Sequence, residues 1–232
     1  MKQSLYKPHL QKPFASLDLC FDLDGTLVDT APDLIRVTNE TIAQLGVGPT
    51  QYKIARTEVG FGSKALIKNA LSRAGKEISD ARLAELRAFF LDRYAETICE
   101  NSQPFPHVLS TLRHLHSAGA RLTVCTNKPG YLARPLLQAL DMEKFFQKIV
   151  GGDEVISAKP NAGHIFTAAG KPRAGRRMIM VGDSYPDIRA AHNAGIPSIL
   201  MTYGYTRDKP CKLSPSLILD NFRDIPNSLS QT

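Results

Sequence analysis

The sequence predicts a doubly wound α/β protein, a parallel sheet covered by helices on both faces, with a wholly helical block inserted after its first strand. Three observations carry this. A short apolar run, Leu17-Asp18-Leu19-Cys20-Phe21, ends in the turn-forming stretch Asp22-Leu23-Asp24-Gly25-Thr26. Between residues 31 and 103 the apolar residues recur only at helical spacing. From residue 104 onward, short apolar runs alternate with helical segments, the pattern of strands buried on both faces and joined by crossover helices.

The elements follow in order. Leu17–Phe21 reads as a buried strand. Leu34, Ile35, Thr38, Ile42 and Leu45 define a helix over 31–46, with Pro32 near its start and Gly46 at its end. Leu66, Ile67, Ala70 and Leu71 define another over 63–74. Leu83, Leu86, Phe90, Tyr94 and Ile98 define a third over 79–98, with Ser79 placed to cap it. Pro104-Phe105-Pro106 closes this block, and Val108, Leu112 and Leu115 open a further helix. The alternation then runs strand 122–125, helix 131–140, strand 148–150, helix 162–169, strand 178–181, helix 187–194 and strand 198–201. The organisation expected is a basic tail over 1–16, a core made of 17–30 and 104–232, and the helical block over 31–103. The tail carries Lys2, Lys7, His9 and Lys12, two prolines and no acid, and is expected to be disordered.

The bulk numbers exclude several classes. A hydrophobic fraction of 43% fills an interior, yet no apolar run has the length of a membrane span. The formal net charge of +7 favours anionic partners, but the basic residues are dispersed. With no Trp and 7% aromatics there is no platform for stacking bases, so a nucleic-acid partner is not expected. Cys20, Cys99, Cys125 and Cys211 are far apart in sequence and form no C-x-x-C pair. That argues against a zinc knuckle or redox motif and for a reducing, cytoplasmic setting. Whether the chain is a monomer or a homodimer is not decided by these features.

In a doubly wound sheet, ligands bind beyond the carboxyl ends of the strands. After the first strand come Asp22, Asp24, Gly25 and Thr26; after the second, Thr126 and Asn127; beyond the third, Lys159; after the fourth, Gly182, Asp183, Ser184 and Asp187. One rim thus collects carboxylates, hydroxyls, an amide and an amine, an inventory suited to phosphoryl transfer. Magnesium takes oxygen ligands, few of them from protein, and Asp22 and Asp183 can supply two. A carboxylate can also serve as nucleophile, provided that a metal and a cation such as Lys159 offset its repulsion by phosphate. Asp24, brought round by the Gly25 turn, can protonate a leaving oxygen and later deprotonate the attacking water.

Four segments, D-L-D-G-T at 22–26, T-N at 126–127, Lys159 and G-D-S-Y-P-D at 182–187, resemble in order the four motifs of the haloacid dehalogenase superfamily. The resemblance implies a Rossmann-like core with an inserted helical cap over 31–103 that closes on the site and selects the substrate. It implies Asp22 as nucleophile and Asp24 as general acid and base. Mg2+ would be held by Asp22, Asp183 and the backbone carbonyl of Asp24, and phosphate by Thr126, Asn127 and Lys159. Asp187 would orient the metal shell or Lys159, with Gly25, Thr26 and Ser184 in support. F-D-L-D-G-T-L-V-D-T-A-P-D-L, C-T-N-K-P, G-G-D and T-Y-G-Y at 202–205 are similar to bacterial phosphoglycolate phosphatases. His107 departs from that pattern, standing where those relatives usually carry Gly. The expectation is a magnesium-dependent phosphomonoesterase acting on a small phosphorylated substrate, 2-phosphoglycolate first. Its alternatives are other small phosphates (a sugar phosphate, a nucleotide or pyrophosphate) and sugar-phosphate mutation. Thr26 and Asp24 favour a phosphatase over mutase, dehalogenase and phosphonate-cleaving relatives.

Other features compete with blander readings. Gly60-Phe61-Gly62-Ser63-Lys64-Ala65 matches a dinucleotide fingerprint, but it lies inside the helical block with no strand before it. A helix N-terminus facing the site, where Gly62, Ser63 and Lys64 meet a substrate carboxylate, stands beside a purely structural turn. Arg56 is a candidate substrate contact or a solvated charge. Asp187 is placed to cap the helix after it, a role compatible with one in the site. His114 and His116 read as surface residues, and His164 and His192 lack metal-spaced partners.

Overall fold

The computed structural model describes residues 12–206 and 210–229. Strand β1 (Leu17–Phe21) leads through a turn to the short β2 (Val28–Asp29). Helices α1 (Ala31–Ala43), α2 (Tyr52–Arg56), α3 (Ser63–Arg73) and α4 (Asp80–Glu96) follow, and β3 (Gln103–Pro104) returns the chain. Then come α5 (Val108–Ser117), β4 (Arg121–Cys125), α6 (Gly130–Ala139), β5 (Lys148–Val150), α7 (Ala162–Ala169), β6 (Arg177–Gly182), α8 (Tyr185–Ala194), β7 (Ser198–Met201), α9 (Pro210–Leu213), β8 (Leu217–Leu219) and α10 (Ile225–Leu229).

Six strands form one parallel sheet in the order β5-β4-β1-β6-β7-β8. Alternate side chains on each strand serve opposite faces, as a two-residue repeat requires. Leu19 and Phe21, with Val124, Ile179 and Val181, pack under α5 and the C-terminal segment. Cys20, Met178 and Met180 face α7 and α8 with Cys125. Both faces are thereby dry, which is why the strands read as short apolar runs. Phe21 is level with Val124 and Val181, so Asp22 emerges at the carboxyl edge between the ends of two neighbouring strands.

Helices α1, α3 and α4 pack around their own core, with Leu66, Ile67, Leu83, Leu86 and Phe90 buried. Ser79 caps α4 by accepting from the Arg82 amide at 3.2 Å. The insert leaves and returns through the antiparallel pair β2–β3, in which Asp29 faces Gln103. Its root is clamped by Asp33, fully buried at the start of α1. The carboxylate accepts from the Asn101 and Ser102 amides and from Ser102 Oγ, at 2.7–3.1 Å. Burial alone would raise the Asp33 pKa, but these donors hold it below the ordinary value.

Two expectations need correction. The tail does not extend to residue 16. The Phe14 amide donates to Ala118 O at 3.0 Å, and the ring is buried against the main core, edge-on to His114. One aromatic between lysine and serine was enough to anchor the segment; residues 1–11 lie outside the described part. The insert also has a fourth helix, α2, in a segment for which the sequence reading gives no element. It is one turn long with only Ala55 buried, so it leaves no periodic signal. No helix among the described residues is long and apolar enough to cross a membrane.

Candidate active site

The turn after β1 begins the site. Gly25 holds φ at +86°, and its amide donates to Val28 O. A side chain there would meet Asp183 Oδ2 at 2.6 Å and the Tyr205 ring at 2.8 Å, so only Gly lets this turn close against Asp183. Gly204 approaches the same carboxylate from the other side, so closely that any side chain there would collide with Oδ2. Asp183 is fixed between these glycines by Thr26 Oγ1, donating to Oδ1 at 3.1 Å, and the Tyr205 amide, donating to Oδ2 at 2.7 Å.

Asp22, Asp183 and Asp187 are all buried, and each offers a carboxylate oxygen within 4.8 Å of the others. Lys159 Nζ lies 2.9 Å from Asp22 Oδ1 and 2.6 Å from Asp187 Oδ1. Asp187 also completes a capping box at the start of α8. Its Oδ2 accepts from the Ser184 amide at 3.1 Å and from Ser184 Oγ at 2.7 Å. Capping and site membership therefore coincide in one side chain.

Three carboxylates face a single ammonium, so the cluster carries excess negative charge in a dry place. Burial, with the charges of Asp187 and Asp24, pushes Asp22 up to about 7 against the pull of Lys159. Burial, Asp187 and Asp22 raise Asp183 well above the carboxylate range. Lys159 loses stability as a cation through burial, yet the charges of Asp187 and Asp22 hold its pKa above the ordinary value. Oxygen donors with this charge imbalance fit a hard divalent cation.

The other rim residues are brought to one cleft of about 450 Å³, lined by Asp22, Asp24, Thr126, Asn127, Lys159 and Ser184 from the sheet side. Thr126 is buried and its Oγ1 accepts from the Lys128 amide at 3.2 Å, while Asn127 Nδ2 donates to Lys159 O at 3.0 Å. Gly62 and Ser63, at the start of α3, line the same cleft with Phe90 and Tyr94 of α4.

Three further side chains lie beside the acidic cluster or away from the cleft. The Asp24 carboxylate lies outside the acidic cluster and pairs with Lys128, Nζ to Oδ1 3.2 Å. Lys64 is exposed and does not line the cleft, because the first turn of α3 directs it outward. Arg56 does not line the cleft either. Its guanidinium donates to Tyr203 O and Gly204 O, at 3.2 and 3.1 Å, and stacks on the Tyr205 ring. It ties α2 to the loop that holds Asp183. Three other residues escaped the sequence reading. Lys128 followed a motif already assigned. Tyr205 Oη accepts from the Thr30 and Ala31 amides, a contact across 175 positions that no local pattern reveals. His164 is fully buried; its Nδ1 accepts from the Lys159 amide at 3.2 Å and its Nε2 lies 3.2 Å from Val150 O. Burial and the Lys159 charge lower its pKa to about 4, so it is neutral and positions the Lys159 backbone.

A doubly wound sheet with this acidic rim and a helical insert closing over it defines a hydrolase class. The haloacid dehalogenase-like hydrolase model matches residues 19–201, and the chain belongs to that family. A phosphoglycolate phosphatase of Agrobacterium fabrum is 40% identical over 94% of this chain and 94% of its own length. One of Caulobacter vibrioides is 38% identical over 90% and 89%. A crystal structure of a predicted phosphoglycolate phosphatase from Haemophilus somnus superposes with a TM-score of 0.82 at 31% identity, covering 93% of this chain and 98% of that one. Within the family the chain is a phosphoric monoester hydrolase.

Proposed function

We propose that the chain hydrolyses 2-phosphoglycolate with Mg2+ through an aspartyl-phosphate on Asp22. The observation that carries this reading is the position of Asp22. It stands at the end of the central strand, 2.9 Å from Lys159 and within 4.8 Å of two further carboxylates, at the floor of a cleft shared by sheet and insert. The substrate comes from the likeness to phosphoglycolate phosphatases over nearly the whole chain. The setting proposed is the cytoplasm.

Asp22 Oδ attacks phosphorus, the bond from phosphorus to the ester oxygen breaks, and Asp24 gives that oxygen a proton. Glycolate leaves. Asp24 then takes a proton from water, whose oxygen attacks the phosphorus of the acyl-phosphate, and phosphate departs with Asp22 restored. Lys159, Thr126 and Asn127 bind the phosphoryl oxygens, and Asp187 with His164 keeps Lys159 in place. Asp22, Asp183 and the Asp24 carbonyl would hold Mg2+, which supplies charge neutralisation for the transferring group. The insert, residues 31–103, acts as the cap that excludes water.

Steady-state kinetics on phosphoglycolate, sugar phosphates, nucleotides and pyrophosphate, each with Mg2+, tests this. The highest kcat/KM is expected for phosphoglycolate. Equal rates on all of them, or preference for another, would remove the substrate assignment.

A further inference from the structure

The cleft contains a second buried ion pair, distinct from that of Asp22 and Lys159. Lys128, in the loop after β4, is 8% exposed. Its Nζ lies 3.2 and 3.4 Å from the two Asp24 carboxylate oxygens and donates to Tyr94 Oη at 2.9 Å, with the ring centroid 4.3 Å away. Lys128 belongs to the sheet side and Tyr94 to α4, so this ammonium joins insert and core directly over the cleft. Three cations line that cleft, Lys159, Lys128 and Arg87. Lys159 is already shared by Asp22 and Asp187, and Arg87 is exposed on the insert. Lys128 is the buried cation with a single acidic partner among the described residues.

Its distance from Asp24 limits what it can recognise. A proton donor sits about 2.6–3.2 Å from the oxygen it protonates. An ammonium one hydrogen bond beyond Asp24 is then within roughly 6 Å of the ester oxygen. A carboxylate one carbon from that oxygen falls within reach; one on a longer chain overshoots. An anion is also the natural replacement partner, because an ammonium buried here without one would be strongly disfavoured.

We propose that Lys128 recognises a carboxylate borne one carbon from the ester oxygen, and that in exchanging Asp24 for the substrate it leaves the Asp24 carboxyl free to donate to that oxygen. Tyr94 holds the ammonium at the cleft while the insert is closed. This deepens the reading above and rests on it, but the requirement is for a class, short phosphoesters with a second acid group.

The test is a ratio, kcat/KM for phosphoglycolate over kcat/KM for ethyl phosphate, which carries a methyl group in place of the carboxylate. Losses of folded protein cancel within each variant. Lys128→Gln is expected to lower the ratio by about 30-fold or more, as for truncation of one partner in a buried charge pair. Lys128→Arg retains most of it, and Tyr94→Phe lowers it a few-fold. An unchanged ratio in Lys128→Gln overturns the proposal, as does a collapse produced by Arg87→Ala instead. If the wild type favours neither ester of this pair, the phosphoglycolate assignment fails by itself. The same ratio is then taken for phospholactate over isopropyl phosphate, and no change there overturns the Lys128 role. Binding gives a second readout. Phosphoglycolate should raise the melting temperature of Asp22→Asn clearly more than that of Asp22→Asn with Lys128→Gln; equal shifts in both would refute the recognition.

Discussion

The sheet rim and the helical insert face each other across one cleft, yet they are built by opposite means. On the rim, position comes from the backbone. Asp22, Thr126 and Asp183 each follow directly on the end of a parallel strand, and their neighbours are other strand ends. On the insert, position comes from long-range side-chain contacts. Asp33 clamps its root, Arg56 grips the loop that holds Asp183, and Tyr94 reaches Lys128. The rim acids sit at strand ends; the insert is held by a few polar latches, two of which reach the neighbours of Asp183 and Asp24.

That contrast sets the order of expected effects. Asp22→Asn should reduce kcat by about four orders of magnitude or more, the scale for loss of a covalent nucleophile, while raising the melting temperature of the metal-free protein at pH 8, because it removes one of the crowded buried carboxylates. Lys159→Met should lower both activity and stability. Removing the cation from a buried group of three carboxylates costs about 3–5 kcal/mol, read by chemical denaturation.

The rim should also show in the pH dependence of the metal-free protein. Asp22 has its folded pKa raised from an ordinary 3.8 to about 7, so the folded state binds its proton more tightly than the unfolded chain. Its stabilising contribution is complete below about pH 4 and is lost as pH rises through 7. Melting temperature should therefore fall across that window, with the raised Asp183 adding to the fall in the same direction. Mg2+ should reverse the trend, raising the melting temperature more at pH 8 than at pH 5, because its ligands must be ionised. A flat metal-free profile would mean that the acids are not crowded as described.

The insert's latches predict smaller changes. Arg56→Ala removes two charged hydrogen bonds to the loop at 203–204 and should cost about 2 kcal/mol of stability. A raised Mg2+ requirement with phosphoglycolate binding retained would mark the path from Arg56 through Tyr205 to Asp183. The smallest effect is a gain. His107 holds φ at +68°, a conformation that favours glycine, at the residue before α5. His107→Gly should stabilise the protein by about 1 kcal/mol, or about 2–4 °C in melting, with activity unchanged.

The same contrast explains what the sequence made legible. A strand buried on both faces leaves a short apolar run, and its carboxyl end points to the next residues, so the rim acids could be found from Phe21, Cys125 and Val181 onward. The left-handed turn at Gly25 had its own mark. The roles of Arg56 and Lys64 stay open in the sequence because a residue's type and position do not give its direction towards a distant loop. Lys128 and His164 have no spacing of their own: Lys128 is known only by its pairing with Asp24 across the turn, and His164 acts through the Lys159 backbone. Phe14 shows the limit of composition, since one buried ring outweighed a run of lysines and prolines.

The most direct test of the account is the phosphoenzyme itself. The wild type is mixed with Mg2+ and a substrate labelled in its phosphoryl group, quenched in acid within the first turnover, and digested. The account predicts label on the peptide containing Asp22, stable in acid, lost in base, and absent from Asp22→Asn. Turnover with no labelled protein at any quench time, or label that persists in Asp22→Asn, would contradict it.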